Sequence, residues 1–85
     1  MGSYKVLIKP SVVKEFEGIS SKDRRRIAQR IEGLASQPRP VGSTKLSGQD
    51  IYRLRQGPYR IVYEISDRDR FVRIVKVGHR REVYG

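Results

Sequence analysis

The N-terminal part of the chain has a strand-like pattern followed by a helical one. Residues 3–9 (SYKVLIK) are few and rich in side chains that favour strands, so we expect a first strand there. The apolar residues that follow recur at helical spacing, at Val12, Val13, Phe16 and Ile19. Pro10 is expected to end the strand, Ser11 to cap the helix, and Gly18 to limit the helix to a few turns.

A second helix is predicted over residues 20–38. Ser20, with Asp23 three residues later, resembles a capping box in which Asp replaces the usual Glu. One face of this helix has an apolar stripe, formed by Ile27, Ile31 and Leu34. Pro38 and Pro40 are expected to end it. Because few residues separate the two helices, we expect them to form an antiparallel hairpin.

The C-terminal half of the chain reads as strands. Residues 39–50 contain Pro, Gly and Ser and are predicted to form a loop. Three strand-like runs follow, at residues 51–55, 59–65 and 71–77. The predicted order is β-α-α-β-β-β in one domain over residues 1–85. This order favours an α+β fold, with a helical hairpin on one face of a largely antiparallel four-stranded sheet.

The alternation of the strands predicts a basic sheet face. If Gly57 and Pro58 form a two-residue hairpin turn, Arg55 lies opposite Arg60 and Arg53 projects from the same face. A three-residue turn would shift the register and separate these arginines. The basic face therefore depends on the length of that turn.

The charge balance adds a class of partner. The 85 residues include 19 Lys and Arg against 9 Asp and Glu, which gives a formal net charge of +10. Such an excess favours capture of polyanions: nucleic acid, an acidic protein or an anionic membrane surface. No apolar run approaches membrane-spanning length, and no signal peptide is visible, so we expect a cytoplasmic protein. The absence of Cys excludes disulfides and thiol chemistry.

Four stretches of the sequence together resemble the RelE/ParE superfamily of bacterial and archaeal toxins, and they are closer to its RelE side. They are KLSG at 45–48, YRLR at 52–55, GPYRIVYEI at 57–65 and VGHRREVYG at 77–85. The resemblance covers nearly the whole chain, because length and element order fit as well. It implies a compact ribonuclease that enters the ribosomal A site and cuts mRNA without a metal or cofactor. It also implies an acidic antitoxin as partner.

The resemblance assigns site residues. The active-site positions of the family fall on Arg53, Arg55, Arg60, Arg80 and Tyr84, and some relatives have Lys in place of Arg53, Arg55 or His79. RNA can be cut when its 2′-OH attacks the adjacent phosphorus, and a guanidinium is suited to the charge that develops on the phosphate oxygens.

Each basic residue of the site has an expected role. We expect Arg60 and Arg80 to supply the charge stabilisation. Arg53 and Arg55 are expected to hold the RNA, together with Lys45 and Arg81.

The sequence leaves several candidates for the groups that transfer protons. His79 is the only His, and surrounding cations should favour its neutral, base-competent form. Tyr84 is a second candidate base, or a side chain that stacks on an RNA base. Glu64 is a further candidate base, although its expected role is that of a salt-bridge partner for an arginine. No paired-carboxylate site, Ser-His-Asp set or metal-ligand spacing is present in the sequence.

Three other functions remain as alternatives. A ParE-like poison of DNA gyrase would use the same fold without a catalytic Arg, His and Tyr cluster. A non-catalytic nucleic-acid-binding module would bind with steep salt dependence and never cut. A degenerate toxin retained only as a complex partner is disfavoured, because the basic positions are still basic. Four arginines of the second helix read as a solvated face or a contact to ribosomal RNA: Arg24, Arg25, Arg26 and Arg30.

Overall fold

The computed structural model describes residues 3–46, 48 and 50–79. It contains two helices and five strands. In chain order they are β1 (Lys5–Ile8), α1 (Pro10–Glu17), α2 (Ser21–Gly33), β2 (Thr44–Leu46), β3 (Ile51–Gln56), β4 (Tyr59–Ser66) and β5 (Phe71–His79). The predicted α+β class is confirmed, with one more strand than expected. Neither helix in the described part of the chain has the length and apolar character needed to span a membrane.

The strands form one mixed sheet in the order β1-β5-β4-β3-β2. β1 pairs in parallel with β5, and all other pairs are antiparallel. The additional strand is β2, which lies inside the predicted loop over residues 39–50 and pairs with the start of β3. With only three residues, β2 is too short for alternation to identify it in the sequence.

Both helices cover one face of this sheet and leave the other face open. The helices contribute Val12, Ile19, Ile27, Ile31 and Leu34 to the core. The sheet contributes Tyr52, Leu54, Ile61, Tyr63, Ile65, Val72, Ile74 and Val77. In β3 and β4 every second residue is buried, as expected for strands with one covered face. The remaining residues of these strands therefore project from the opposite side.

The first helix begins two residues earlier than predicted. Pro10 is its first residue, and Lys9 precedes it in an extended conformation without a side-chain cap. Proline suits this position because the first helical N–H has no intrahelical partner, and its fixed φ is already helical. The expectation that Ser11 caps the helix is therefore wrong.

The second helix begins as predicted and ends early. Ser20 is its N-cap, and the Ser20 hydroxyl accepts the backbone N–H of Asp23 at 3.3 Å. The helix ends at Gly33, five residues before the predicted stop at Pro38. Beyond it, the carbonyl of Ala35 accepts the N–H of Tyr4 at 2.7 Å, so this connection is tied to the start of β1.

The turn between β3 and β4 has two residues. Gln56 pairs with Tyr59, which leaves Gly57 and Pro58 as the loop and confirms the shorter of the two turns considered. Gly57 has φ +60°, the value that the first central residue of a type II′ turn needs. Pro58 then occupies the second central position, where its fixed negative φ fits.

Gly57→Ala is expected to destabilise the protein by about 1–2 kcal/mol, because a side chain at positive φ is strained. An added Cβ would meet no atom within 4 Å, so the loss should come from backbone conformation alone. Urea unfolding measures this free energy. Gly33→Ala is the matched control: it also meets no atom and lies at the end of a helix, and it should be neutral or stabilising. Equal losses in the two variants would contradict this account of the turn.

A polar cluster joins the connection after α2 to the turn between β4 and β5. The Arg39 guanidinium donates to both carboxylate oxygens of Asp67, at 3.2 and 2.8 Å. Its Nε donates to the Tyr52 hydroxyl at 2.9 Å, and the Tyr4 hydroxyl donates to Asp67. Hydrogen bonds from Arg39 and Tyr4 lower the pKa of Asp67 to about 2. Nothing in local sequence pattern indicates this cluster, because its members come from separate segments.

The lowered pKa of Asp67 predicts acid sensitivity. Because the folded state favours the carboxylate, the stabilisation is present above the ordinary pKa, near pH 4, and is lost as the pH falls towards 2. Asp67→Asn should therefore lower the melting temperature at pH 7, and the difference from the unmodified protein should shrink as the pH falls to 2 and disappear below it. Asp69→Asn is the control in the same turn, since its carboxylate makes no ion pair within the described residues. A constant difference between pH 7 and 2 would contradict the ion-pair account.

Candidate nucleic-acid interface

The open face of the sheet has three arginines at the end near the hairpin. Arg55 lies directly opposite Arg60 across β3 and β4, and Arg53 lies opposite Val62. Because side chains alternate along a strand, Arg53, Arg55 and Arg60 all project away from the helices. We call these three residues the arginine face.

This arrangement concentrates positive charge. Two like charges directly opposite each other on neighbouring strands destabilise a sheet. The pairing of Arg55 with Arg60 is therefore unfavourable for the stability of the folded state. Within residues 3–46, 48 and 50–79, the guanidiniums of Arg53 and Arg55 form no ion pair. An anion placed on this face would be attracted by several cations at once. Guanidiniums match phosphate oxygens in geometry as well as charge.

One carboxylate of the open face forms an ion pair with an arginine of β5. Glu64 shares the open face, and its Oε1 lies 2.7 Å from Nη1 of Arg73, directly across from it on β5. The expectation that Glu64 is a salt-bridge partner for an arginine is confirmed. The Arg73 guanidinium also lies over the ring of Phe71, with 5.1 Å between its central carbon and the ring centroid. Glu64 is thus held by a cation of β5.

Lys45 projects from the other side of the sheet. It pairs with Tyr52, whose side chain belongs to the core on the helix side. Its Nζ lies 3.8 Å from Oδ1 of Asp50. The structure therefore does not bring Lys45 together with the arginine face.

His79 also lies on the opposite side of the sheet from the arginine face, because of a β-bulge. The register between β4 and β5 shifts between Val62 and Tyr63, so that Val75 has no partner of its own. Without the extra residue, continued alternation from the buried Ile74 would place His79 on the open side. With it, His79 lies opposite Tyr59 on the helix side. Their rings meet edge to face, with centroids 5.8 Å apart.

A cavity of about 390 Å³ lies beside His79 on that side. Glu15 of α1 forms part of its wall. Its Oε1 accepts the backbone N–H of Val77 at 2.8 Å, and its Oε2 lies 3.0 Å from Nζ of Lys76. β1 ends before this part of β5, so the carboxylate satisfies a strand N–H that no neighbouring strand reaches. Sequence periodicity alone does not reveal this contact between α1 and β5.

Three predicted site residues, Arg80, Arg81 and Tyr84, lie outside the described residues. Of the predicted set, the structure thus brings together Arg53, Arg55 and Arg60. In the part of the chain that is described, no group of three or more His, Asp or Glu side chains could hold a metal ion.

The sequence matches a known family over almost its full length. The profile of the ParE toxin of type II toxin–antitoxin systems (parDE) matches residues 6–84. A Methanocaldococcus jannaschii protein named as toxin RelE1 is 28% identical over 85 residues, covering 95% of this chain and 94% of that protein. An Escherichia coli protein named as a RelE-like toxin is 28% identical over 80 residues, covering 91% of this chain and 83% of that protein.

The fold matches solved toxin structures. The chain aligns with a crystal structure of the archaeal RelE–RelB complex from Pyrococcus horikoshii at a TM-score of 0.82 and 28% identity. The alignment covers 95% of this chain and 99% of that chain. The five-stranded sheet with two helices on one face is thus similar to the fold of a protein solved together with RelB.

Proposed function

The chain belongs to the ParE toxin family of type II toxin–antitoxin systems, within the RelE/ParE superfamily, and from this we propose that it is a RelE-like endoribonuclease that cuts mRNA on the ribosome. The observation that supports this most is the arginine face. Three arginines project from the open side of the sheet, and two of them, Arg55 and Arg60, lie directly opposite each other, which is unfavourable for stability. A phosphate backbone would offset their repulsion.

The proposed reaction is a transesterification of RNA. The 2′-OH attacks the adjacent phosphorus, its proton leaves to a base, and the bond to the 5′-oxygen breaks as that oxygen gains a proton. The products are a 2′,3′-cyclic phosphate and a 5′-hydroxyl. Arg60 is proposed to hold the non-bridging phosphate oxygens, where charge grows in the transition state. Arg53 and Arg55 would position the phosphates on either side.

The C-terminal residues complete the proposed site. Arg80 is proposed as a second phosphate contact, with Arg81 as an RNA contact and Tyr84 as base or stacking side chain. His79 comes immediately before Arg80 but lies on the helix side of the sheet. We therefore propose that His79 orients the end of β5, and that Tyr84 or the ribosome supplies the proton-transfer group. The ribosome would also fix the substrate geometry, which is worth several kcal/mol of barrier.

An acidic antitoxin is the proposed protein partner, and cytoplasm the proposed location. The net charge of +10 supports this partner, because opposite charges steer association. The P. horikoshii relative was solved as a complex with RelB, and an M. jannaschii RelE was also solved with RelB. These complexes support a partner of the same kind here.

The family profile favours one rival function. Because it describes a ParE toxin, a DNA gyrase poison on the same fold is the second candidate. Inducing the protein in growing cells separates the two. Primer extension on a translated mRNA should show new 5′ ends at codon-periodic positions, and gyrase-dependent DNA breaks should stay at background. Breaks in DNA with intact mRNA would support the gyrase poison. The absence of both lesions would support a non-catalytic binding module.

A further inference from the structure

The last part of β5 has less strand pairing than its first part. β1 pairs with residues 71–74 of β5 and then ends, and among the described strands only β4 pairs with residues 76–79. The chain turns from β1 into α1 at Pro10, and α1 packs against β5. The bulge at Val75 falls just before this strand end. Backbone hydrogen bonds therefore hold residues 76–79 from one side only.

Glu15 of α1 supports this strand end from the other side. Its Oε1 accepts the backbone N–H of Val77 at 2.8 Å. Val12 lies one helical turn earlier on the same face of α1 and is fully buried, so the core fixes the position of Glu15 against the sheet. The Glu15 side chain is 24% exposed and Val77 is buried. A hydrogen bond to a carboxylate in such surroundings is among the stronger ones in a protein.

The ion pair of Glu15 with Lys76 is the weaker of its two contacts. Oε2 of Glu15 lies 3.0 Å from Nζ of Lys76, whose side chain is 49% exposed. Ion pairs at such exposure add little, because solvent screens them and a long side chain loses freedom. The N–H of Val77 belongs to the strand itself, so a bond to it holds the backbone of β5. The contact with Val77 is therefore the one that fixes the strand.

The strand end that Glu15 holds adjoins the arginine face. Gly78 follows Val77 directly and lies opposite Arg60 on β4. His79 lies opposite Tyr59, and Arg80 is the next residue in the sequence. A slip of β5 by one residue would exchange the two sides of the strand and change which residue lies beside Arg60. The hydrogen bond at Val77 acts one residue away from this point.

We propose that Glu15 is a positioning residue for the cleavage site. Through the N–H of Val77 it fixes the register of β5 beside Arg60, and with it the direction in which the chain continues to Arg80. The roles of Arg60 and Arg80 in this inference rest on the proposed function, whereas the contact of Glu15 with Val77 does not. Glu15 lies on the helix side of the sheet and acts through β5, without contact to the RNA.

Single-turnover mRNA cleavage by excess protein on programmed ribosomes tests the proposal. Glu15→Ala removes the acceptor and should slow the chemical step about ten- to a hundredfold, because a displacement of about 1 Å at a site can have an effect of this size. Its dissociation constant for ribosomes should change by less than about twofold. Glu15→Gln keeps an oxygen that can accept the N–H of Val77, so its cleavage rate should stay within about threefold of the original.

Two further variants are matched controls. Glu17→Ala removes the same side chain from an exposed position of α1 that makes no ion pair within the described residues, and it should keep the cleavage rate within about twofold. Lys76→Met removes the ion pair but leaves the acceptor of Val77, and its rate should stay within about threefold. A loss as large as that of Glu15→Ala in Glu15→Gln, Glu17→Ala or Lys76→Met would overturn the proposal.

Amide hydrogen exchange separates positioning from a general loss of stability. In Glu15→Ala the exchange rate of Val77 should rise about tenfold or more relative to the amides of β3, and in Glu15→Gln it should stay close to the original. An equal rise throughout the sheet, or no rise at Val77, would overturn the proposal. If the unmodified protein leaves mRNA intact on ribosomes, the proposed function fails, and the exchange rate of Val77 still decides whether Glu15 fixes this strand end.

Discussion

Arg60→Ala is expected to slow ribosome-dependent mRNA cleavage about a hundred- to a thousandfold. Arg60 belongs to the arginine face and lies opposite Arg55. Its proposed role is to hold the phosphate oxygens that gain charge as the phosphorus is attacked. Removal of one oriented donor from a transition-state site typically has an effect of this size. Single-turnover cleavage on ribosomes with bound toxin measures the chemical step apart from ribosome binding. Arg80→Ala should slow the same step by a similar factor if its proposed role holds.

Arg26→Ala is the control for this prediction. Arg26 is an exposed cation of α2, on the other side of the sheet, and its side chain makes no ion pair within the described residues. The substitution Arg26→Ala removes the same charge as Arg60→Ala and should leave the rate of single-turnover cleavage within about twofold of the original rate. If both variants slowed cleavage equally, the effect would come from net charge rather than from a site. Loss of the circular dichroism spectrum in Arg60→Ala would show that Arg60 is structural.

Leu54→Ala is expected to destabilise the protein by about 2–5 kcal/mol, the usual cost of truncating a fully buried leucine. Leu54 is 1% exposed and lies in β3 between two residues of the arginine face. Because small domains have only about 5–15 kcal/mol of stability, the variant should be partly unfolded at 37 °C. Urea unfolding at 25 °C measures the change in free energy.

The neighbours of Leu54 supply the contrast. Arg53→Ala and Arg55→Ala should each stay within about half a kcal/mol of the original stability. Arg55→Ala is expected to raise the free energy of unfolding slightly, because it removes the repulsion between Arg55 and Arg60. A destabilisation by Arg53→Ala or Arg55→Ala as large as that of Leu54→Ala would contradict the assignment of these residues to opposite faces.

Much of the fold follows from local patterns in the sequence. Period-two alternation in β3 and β4 separates the core side, with Leu54 and Ile61, from the arginine face. The two-residue turn at Gly57 and Pro58 then fixes which arginines share a side, since a one-residue slip would invert every side chain. The arginine face could therefore be predicted before the structure was known, once the shorter turn was chosen.

The position of His79 could not be predicted in the same way. Its side is decided by the bulge at Val75, and a bulge arises from the pairing of β5 with β4 rather than from the sequence of β5 alone. A run such as FVRIVKVGH looks regular in sequence, yet one unpaired residue exchanges the two faces beyond it. This is why His79 is separated from Arg60 although both belong to the predicted site.

Contacts between distant segments likewise could not be predicted from the sequence patterns. The strand β2 exists through pairing with β3, and that pairing turns Lys45 away from the arginine face. The cluster of Arg39 and Asp67 joins a loop to a turn 28 residues away. Such contacts depend on the tertiary arrangement, which propensity and periodicity do not encode.

The most direct test of the central claim is cleavage by the purified chain in a reconstituted translation system. One reaction contains mRNA with a defined A-site codon on ribosomes, and a parallel reaction contains the same mRNA alone. We expect rapid cleavage within the A-site codon on the ribosome, with a 2′,3′-cyclic phosphate and a 5′-hydroxyl at the new ends, and far slower cleavage of naked mRNA. Intact mRNA on programmed ribosomes, or equal cleavage in both reactions, would contradict a ribosome-dependent endoribonuclease.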